Sequence, residues 1–240
     1  MNNNTLHTLQ INTVDIGGGA ARIAWNLYKG LEERGHDSWF CVGYKHSSEE
    51  RVFSLFQHPR GNPWMRLCYR AGYALSRFSG RLKGAGRLQR ILYMVAKPSN
   101  IIRWFNGVEC YSYPQTWRIL DIKHNIIHCH NLHGGYFDLE ALPFLSKKAP
   151  LFLTLHDSWL LSGHCSASLD CNAWMSGCKS CPYLDLYPAI RRDRAAYNWN
   201  KKRDILSKCR LYVATPSKWL MERVENSIIS EAIVEAKVIN

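Results

Sequence analysis

Residues 6–42 of the 240-residue chain read LHTLQINTVDIGGGAARIAWNLYKGLEERGHDSWFCV, and this stretch decides the fold class. Its Leu, Ile, Thr and Val residues predict a strand at Leu6–Val14, which runs into three glycines at residues 17–19. Apolar residues then recur at helical spacing, and SWFCV at residues 38–42 predicts a second strand. A strand, a glycine-rich turn, a helix and a strand in succession open a doubly wound α/β sheet.

The same alternation returns in the second half of the chain. We predict further strands at residues 125–129, 151–155, 211–214 and 236–239, and helices at residues 138–148, 191–208 and 217–224. Strands that alternate with helices indicate a parallel sheet, so we predict a single Rossmann-like domain over residues 1–240. Two stretches interrupt the pattern, a basic helical insertion at residues 51–106 and a cysteine-rich excursion at residues 159–188.

Composition and targeting signals limit the class of protein. The chain is 46% hydrophobic, which suffices for one good core. The first ten residues, MNNNTLHTLQ, lack the pattern of a secretory signal, and no apolar run approaches the roughly 18 residues of a spanning helix. We therefore expect a cytoplasmic protein, in which nine cysteines are more often thiols or metal ligands than disulfides.

The net charge of +12 comes from one stretch of the chain. Residues 51–108 hold eleven of the 31 Lys and Arg residues and no Asp or Glu, while the remaining 20 basic residues face 19 acidic ones. Apolar residues such as Trp64, Leu67 and Leu88 are interleaved with this charge. The pattern suits docking on an anionic membrane surface, but a solvated helical hairpin that covers the sheet fits equally well. Nucleic acid is disfavoured because no recognised binding module is present.

The glycine turn, residues 17–19, lies where a helix begins, so its backbone N–H groups are suited to a phosphate or another anion. A tight turn without a ligand is an equally simple interpretation. GGGAAR does not fit the dinucleotide pattern G-x-G-x-x-G, and GYKH at residues 43–46 lacks the ribose-binding acid. We therefore expect no NAD, and the absence of a Walker motif excludes a P-loop NTPase.

Histidines follow two neighbouring predicted strands. His128, His130 and His133 come at the end of one strand, and His156 with Asp157 comes at the end of the next. Ligands of open α/β sheets bind outside the carboxyl ends of the strands, so these side chains are expected to converge on a site. The pair His128 and His130 also resembles half a metal site, but no carboxylate pattern completes it.

Four cysteines follow at the spacing Cys165-x5-Cys171-x6-Cys178-x2-Cys181. A C-x-x-C pair and two preceding cysteines are able to close a tetrahedral zinc site, which would be structural because four thiolates leave no open position. His164 is a spare ligand. Free buried thiols and disulfides remain the alternatives.

Four motifs in this order carry a family resemblance. They are GGGAAR at residues 17–22, HCHNLHG at residues 128–134, TLHD at residues 154–157 and TPSKWL at residues 215–220. Together they resemble the N-terminal half of a family 4 glycosyltransferase of the GT-B fold, most closely the polysaccharide-biosynthesis members with an HDxW…GHC…C…GCxxCP segment.

The resemblance implies an acceptor-binding domain and a nucleotide-sugar as co-substrate. It implies catalytic roles for His156, which would contact the donor sugar, and for Asp157, which would fix His156 or serve the acceptor. It implies substrate binding by Gly17, Gly18, Gly19, Arg22, His130, Asn131 and His133. The acceptor would be a glycan or a polyprenyl-linked sugar, which fits an enzyme on the inner face of a membrane.

The family's donor-binding domain would follow residue 240. We therefore expect that residues 1–240 alone do not transfer sugar. Hexosyl transfer with retention of configuration is implied by the family only. The alternative function is a non-catalytic, zinc-stapled basic domain that binds a polyanion or a membrane surface.

Overall fold

A computed structural model describes residues 5–76, 78, 82–109 and 111–239 of the chain. The strands are β1 (His7–Val14), β2 (Asp37–Tyr44), β3 (Val52–Ser54), β4 (Ile126–Cys129), β5 (Leu151–Thr154), β6 (Leu211–Thr215) and β7 (Ile233–Val238). They form one sheet in the order β3-β2-β1-β4-β5-β6-β7, and all six neighbouring pairs are parallel. The predicted doubly wound, Rossmann-like sheet is confirmed.

Helices connect and cover these strands. They are α1 (Gly19–Glu33), α2 (Pro63–Ser76), α3 (Ala85–Val95), α4 (Pro98–Phe105), α5 (Leu142–Lys148), α6 (Ala195–Leu206) and α7 (Lys218–Glu225). The chain lays β1, β2 and β3 outward in one direction and β4 to β7 in the other. The strand order therefore reverses between β1 and β4, and a crevice opens at that point outside the carboxyl ends of the strands.

One face of the central strands is apolar, while the opposite face of β1 carries the buried polar side chains Thr8, Gln10 and Asn12. Leu9 and Ile11 of β1 are 1% and 0% exposed, and Leu151 and Leu153 of β5 belong to the same core. A smaller cluster around Tyr28 and Phe40 packs α1 against β2. The sheet is thus a rigid platform for the loops at its carboxyl edge.

The basic segment, residues 51–106, differs from the prediction at its start. Val52–Ser54 forms the edge strand β3, which pairs with β2, and the helices α2, α3 and α4 come only afterwards. A strand of three residues leaves too short a pattern to be recognised in the sequence. Arg77 and Arg81, two of the eleven basic residues, lie outside the described residues.

The largest other differences between prediction and structure are at the starts of three elements. The helix predicted at residues 138–148 starts as a short 3₁₀ turn, and α5 begins at Leu142 with Pro143 in its first turn, where proline is tolerated. The start of α6 lies at Ala195, whose N–H is accepted by Asp193. β7 begins at Ile233, earlier than predicted.

The cysteine segment, residues 159–188, contains two short 3₁₀ turns, Trp159–Leu161 and Ala173–Met175, among its described elements. The segment has an apolar anchor that the sequence did not suggest. Trp174 is buried against Trp199 of α6, whose Nε1 donates to the Trp174 carbonyl at 2.7 Å. The segment is therefore docked on α6.

Aromatic rings hold the basic segment together and join it to the sheet, where the Tyr44 ring of β2 stacks on the Tyr93 ring of α3 at 6.0 Å. The Tyr93 ring of α3 lies 3.9 Å from the Phe56 ring and 5.6 Å from the Tyr69 ring of α2, measured between centroids. Gly72 of α2 allows this approach, because a Cβ there would lie 2.3 Å from the Tyr93 ring. The helical hairpin thus closes over an aromatic core.

We predict that Gly72→Ala lowers the free energy of unfolding by about 1–3 kcal/mol, because the clamped Tyr93 ring has no room to retreat. The matched control is Gly30→Ala in α1, where a Cβ would meet only the flexible Arg34 side chain. That change should stabilise the protein by about 0.5–1 kcal/mol through helix propensity. Urea unfolding of both variants tests the pair, and equal effects of the same sign would contradict the packing.

Candidate active site

The candidate site lies at the carboxyl ends of β1, β4 and β5, where the strand order reverses. Side-chain hydrogen bonds of Asn12 and Thr13 tie the loop after β4 to β1. Thr13 Oγ1 donates to the carbonyl oxygens of Asn131 at 3.1 Å and His133 at 2.8 Å, and Asn12 Oδ1 accepts from the Asn131 N–H at 3.1 Å. The histidine loop is therefore fixed to the sheet.

A chain of three polar side chains crosses the site. His130 Nε2 lies 3.0 Å from Gln10 Oε1, and His130 Nδ1 lies 3.1 Å from His156 Nε2. With the Gln10 carbonyl oxygen facing His130, the proton of His130 sits on Nε2, so its Nδ1 accepts the Nε2 proton of His156. The Nδ1 atom of His156 then carries a free lone pair.

Burial keeps these imidazoles neutral. Desolvation lowers the pKa of His130 well below the ordinary value, with smaller contributions from His128 and His156. Desolvation also lowers the pKa of His156, and the nearby Asp157 carboxylate offsets part of that effect. A neutral His156 acts at pH 7 as a hydrogen-bonding group of fixed orientation rather than as a cation.

Asp157 pairs with a different histidine from the one beside it in the sequence. Its Oδ2 lies 3.0 Å from His133 Nε2, and its Oδ1 accepts the Trp159 N–H at 2.9 Å. The hydroxyl of Tyr187 lies 3.3 Å from the other ring nitrogen of His133. The hydrogen bond that the sequence suggested between Asp157 and His156 is therefore replaced by one to His133, while His130 holds His156.

A cavity of about 420 Å³ opens beside this group. Its lining includes His133, Trp159, Tyr187, Tyr44 and Arg90. His130 and His156 lie in an adjoining recess that shares His133 and Trp159 with the cavity. The volume and the aromatic walls suit a ligand of several rings with a few polar contacts.

A buried ion pair supports the wall of this cavity, and sequence reasoning missed it. Glu109 lines the cavity and accepts the indole N–H of Trp159 at 2.7 Å. Lys202 of α6 is fully buried, lies 3.6 Å from the Glu109 carboxylate, and donates to the carbonyls of Trp159 at 2.7 Å and Ser162 at 3.1 Å. Burial raises the pKa of Glu109 to about 7, although Lys202 and Trp159 act against it. The sequence offered one sign of its importance, since Glu109 is the first acidic residue after the basic stretch.

Asp15 is a second missed residue. It is 0% exposed, and it accepts backbone N–H groups from Ile16 at 3.0 Å and from His46 and Ser47 at 2.8 Å each. These bonds fasten the start of the glycine turn to the loop after β2. Its position between a strand and three glycines is the feature of the sequence that could have identified Asp15.

The glycine turn lies where α1 begins, as the sequence predicted. Gly18 caps α1 without a side-chain hydrogen bond, and its carbonyl accepts the Arg22 N–H at 3.1 Å. Gly17 and Gly19 are exposed, as is Arg22 in the first turn of α1. A Cβ at Gly18 or Gly19 would meet no atom within 4 Å, so the described chain leaves open space there. The turn lies at the same sheet edge as the histidines but apart from their hydrogen-bonded group.

The four cysteines of the cysteine segment are free thiols that line one small cavity with His164. Cys165 and Cys178 are buried, and Cys171 and Cys181 are half-buried. As placed, no three His, Cys, Asp or Glu side chains in the described part of the chain are grouped to hold a metal ion. The structure thus brings the predicted ligands to one cavity without forming a coordination sphere.

Two comparisons with known proteins gave matches. The chain matches a family model, Glycosyltransferase Family 4, over residues 17–233. It is also similar to a putative colanic acid biosynthesis glycosyl transferase, WcaC, of Escherichia coli (strain K12), with 27% identity over 202 residues. That match covers 79% of this chain and 43% of the relative, so the chain spans less than half the length of this curated relative.

We predict that Lys202→Met lowers the free energy of unfolding by about 3 kcal/mol, because Glu109 loses its buried partner. The loss should be larger at about pH 8 than at about pH 5.5, where a carboxyl of pKa about 7 is already protonated and neutral. Urea unfolding at both pH values measures it. Lys208→Met, at an exposed lysine, should stay within about 0.5 kcal/mol of the parent. A pH-independent loss for Lys202→Met would contradict the pairing.

Proposed function

The chain belongs to Glycosyltransferase Family 4, and on that premise we propose that it takes part in sugar transfer from a nucleotide-sugar to a glycan or lipid-linked acceptor in polysaccharide biosynthesis. The observation that carries the proposal is the chain from Gln10 through His130 to His156 beside a cavity of about 420 Å³. The name of the relative from Escherichia coli supports the biosynthetic setting.

The acceptor binds in the cavity. Aromatic rings such as Trp104 and Tyr187 offer flat faces to the apolar side of a sugar ring. Glu109 and the His133–Asp157 pair supply acceptors and donors for its hydroxyl groups. Because these polar groups are already held by other bonds, they orient the acceptor without a large ordering cost.

His156 acts on the donor sugar. Its Nε2 is engaged by His130, so its Nδ1 is the atom that would accept a hydrogen bond from a sugar hydroxyl. An oriented neutral imidazole suits this role, since catalysis gains most from groups that are fixed before the transition state forms. Asp157 acts indirectly, as a positioning residue, through His133.

The diphosphate of the donor approaches the glycine turn. The open space at Gly18 and Gly19 admits a ligand, and the N-terminus of α1 presents free N–H groups and a partial positive charge. The nucleotide itself would be held by the second domain that the family resemblance implies. Transfer of a hexosyl group with retention of configuration is the form of the reaction expected for this family.

We predict that His156→Ala, introduced into the protein's own gene, lowers the initial rate of sugar transfer to lipid-linked acceptor by about 10²-fold or more. The assay uses membranes of that strain with a panel of radiolabelled nucleotide-sugars. His58→Ala, at an exposed histidine of the basic segment, should retain the rate within about twofold. Transfer at the parental rate by His156→Ala would refute the role, and no transfer with any donor by a parent protein that includes the second domain would refute the function.

We also propose that the basic segment rests on an anionic membrane. Each of its helices exposes an apolar pair at a spacing of three residues: Trp64 and Leu67 on α2, Leu88 and Ile91 on α3, and Ile102 and Phe105 on α4. Arg66, Arg70 and Arg87 are exposed next to them. Apolar groups among cations, without acids, favour anionic headgroups.

The proposed membrane contact would be that of a peripheral membrane protein. No helix in the described part of the chain combines the length and apolar character needed to cross a bilayer. Arg90 and Trp104 of the basic segment also line the site cavity, so a membrane on this face would lie close to the acceptor entrance. A lipid-linked acceptor would then reach the cavity from the bilayer surface.

We predict that the protein sediments with vesicles containing about 30% anionic lipid and not with neutral vesicles, and that salt weakens the binding. The double change Trp64→Ser and Leu67→Ser should reduce the bound fraction about fivefold or more. Met175→Ser with Trp219→Ser removes two equally exposed apolar side chains elsewhere and should leave binding unchanged. Equal binding to neutral vesicles, or equal losses in the two variants, would rule out this surface.

A further inference from the structure

We propose that the thiolates of Cys165, Cys171, Cys178 and Cys181 bind one structural zinc ion, which holds the cysteine segment as a wall of the site. The four thiols, free as they stand, share one cavity of about 20 Å³. A space of that size accommodates about one water-sized occupant, and a zinc ion is smaller. The inference concerns this segment alone and does not depend on the proposed reaction.

The backbone of the segment turns its cysteines inward. Cys178 and Ser180 have φ values of 51° and 53°, and Gly177 before them has a φ of 119°. Left-handed conformations cost a non-glycine residue roughly 1–2 kcal/mol each, so two within one C-x-x-C sequence require a compensating interaction. Zinc coordination by Cys178 and Cys181 provides one.

Polar contacts already fix the positions of two of the sulfur atoms. The Gly163 N–H donates to Cys178 Sγ at 3.1 Å, and His164 Nε2 lies 3.3 Å from Cys181 Sγ. The other nitrogen of His164 lies 2.9 Å from the Pro188 carbonyl, which fixes the ring. The Gly163 N–H supports negative charge on Cys178, whereas His164, which donates from Nδ1 to the carbonyl, presents its Nε2 lone pair to Cys181 and accepts the thiol proton.

Coordination requires a small rearrangement. The thiols surround the cavity without meeting at a common point, since no three potential ligands among the described residues are grouped for a metal. Side-chain rotation would bring each sulfur to about 2.3 Å from the ion, the usual Zn–S distance. As each Zn–S bond forms, the thiol proton leaves to solvent, so four protons are released for each Zn²⁺ bound.

The ion would also set the position of a site residue. Ser166 of the same segment donates from its N–H at 2.8 Å and its hydroxyl at 2.9 Å to the Tyr187 carbonyl. Tyr187 in turn places its hydroxyl 3.3 Å from His133. Zinc at the cysteines would therefore hold the Tyr187 side of the cavity in place.

The test is metal analysis of the full chain purified without chelator. We expect about one zinc per chain, and a reduction of at least about fivefold in Cys178→Ser and in Cys181→Ser. Cys209→Ala is the matched control, because Cys209 is buried between α6 and β6, outside the segment, and this variant should retain the ion. Circular dichroism shows whether each variant is folded, so that loss of zinc is not confused with loss of structure.

Two further measurements keep the test decisive if the cysteine variants fail to fold. Chelation of the parent should lower its melting temperature, and Zn²⁺, but not Mg²⁺, should restore it. Cobalt substitution should give the intense thiolate-to-metal absorption of a sulfur-rich tetrahedral site. A folded parent with less than about 0.1 zinc per chain after Zn²⁺ addition and dialysis, or with these cysteines in disulfides, would overturn the proposal.

Discussion

The architecture of the candidate site depends on one fully buried cation. Lys202 joins three parts of the chain that lie far apart in sequence: Glu109 after the basic segment, the start of the cysteine segment at Trp159 and Ser162, and α6. A buried lysine needs partners for its charge and its donors, and here two carbonyls accept hydrogen bonds and the Glu109 carboxylate lies 3.6 Å away. The cavity wall, the Trp159 indole and the docking of the cysteine segment all follow from that requirement.

The histidines are subject to a different constraint, because neutral polar groups that are buried need a hydrogen-bond partner for each donor and acceptor. His130 is buried between Gln10 and His156, so each ring nitrogen has one partner and the protons have one self-consistent arrangement. His133 is held instead by Asp157 and Tyr187. Two groups of histidines therefore lie side by side. His130 is neutral and is oriented by the His156 imidazole and the Gln10 amide, whereas His133 is oriented by the Asp157 carboxylate.

The sequence predicted what is local or follows from parallel strands. The glycine turn, α1 and the convergence of His130 and His156 were all accessible, because parallel strands bring their carboxyl ends to one edge. The hydrogen bond of Asp157 to His133 could not be predicted from the sequence. Neighbouring residues at a strand end point to opposite sides, so Asp157 faces a different partner from His156. Lys202 and Glu109 were missed because their pairing depends on how two connecting segments fold over the sheet. The strand β3 is too short to have a pattern of its own.

Asp15 has a consequence for how an anion would bind. By accepting three backbone N–H groups, it immobilises the residue before the glycine turn and joins it to the loop at His46 and Ser47. The turn is thus ordered before any ligand arrives, although glycines are the residues with the most backbone freedom to lose. The conformational entropy of the loop is lost during folding, so a phosphate bound at the turn, as proposed, would meet a preformed loop.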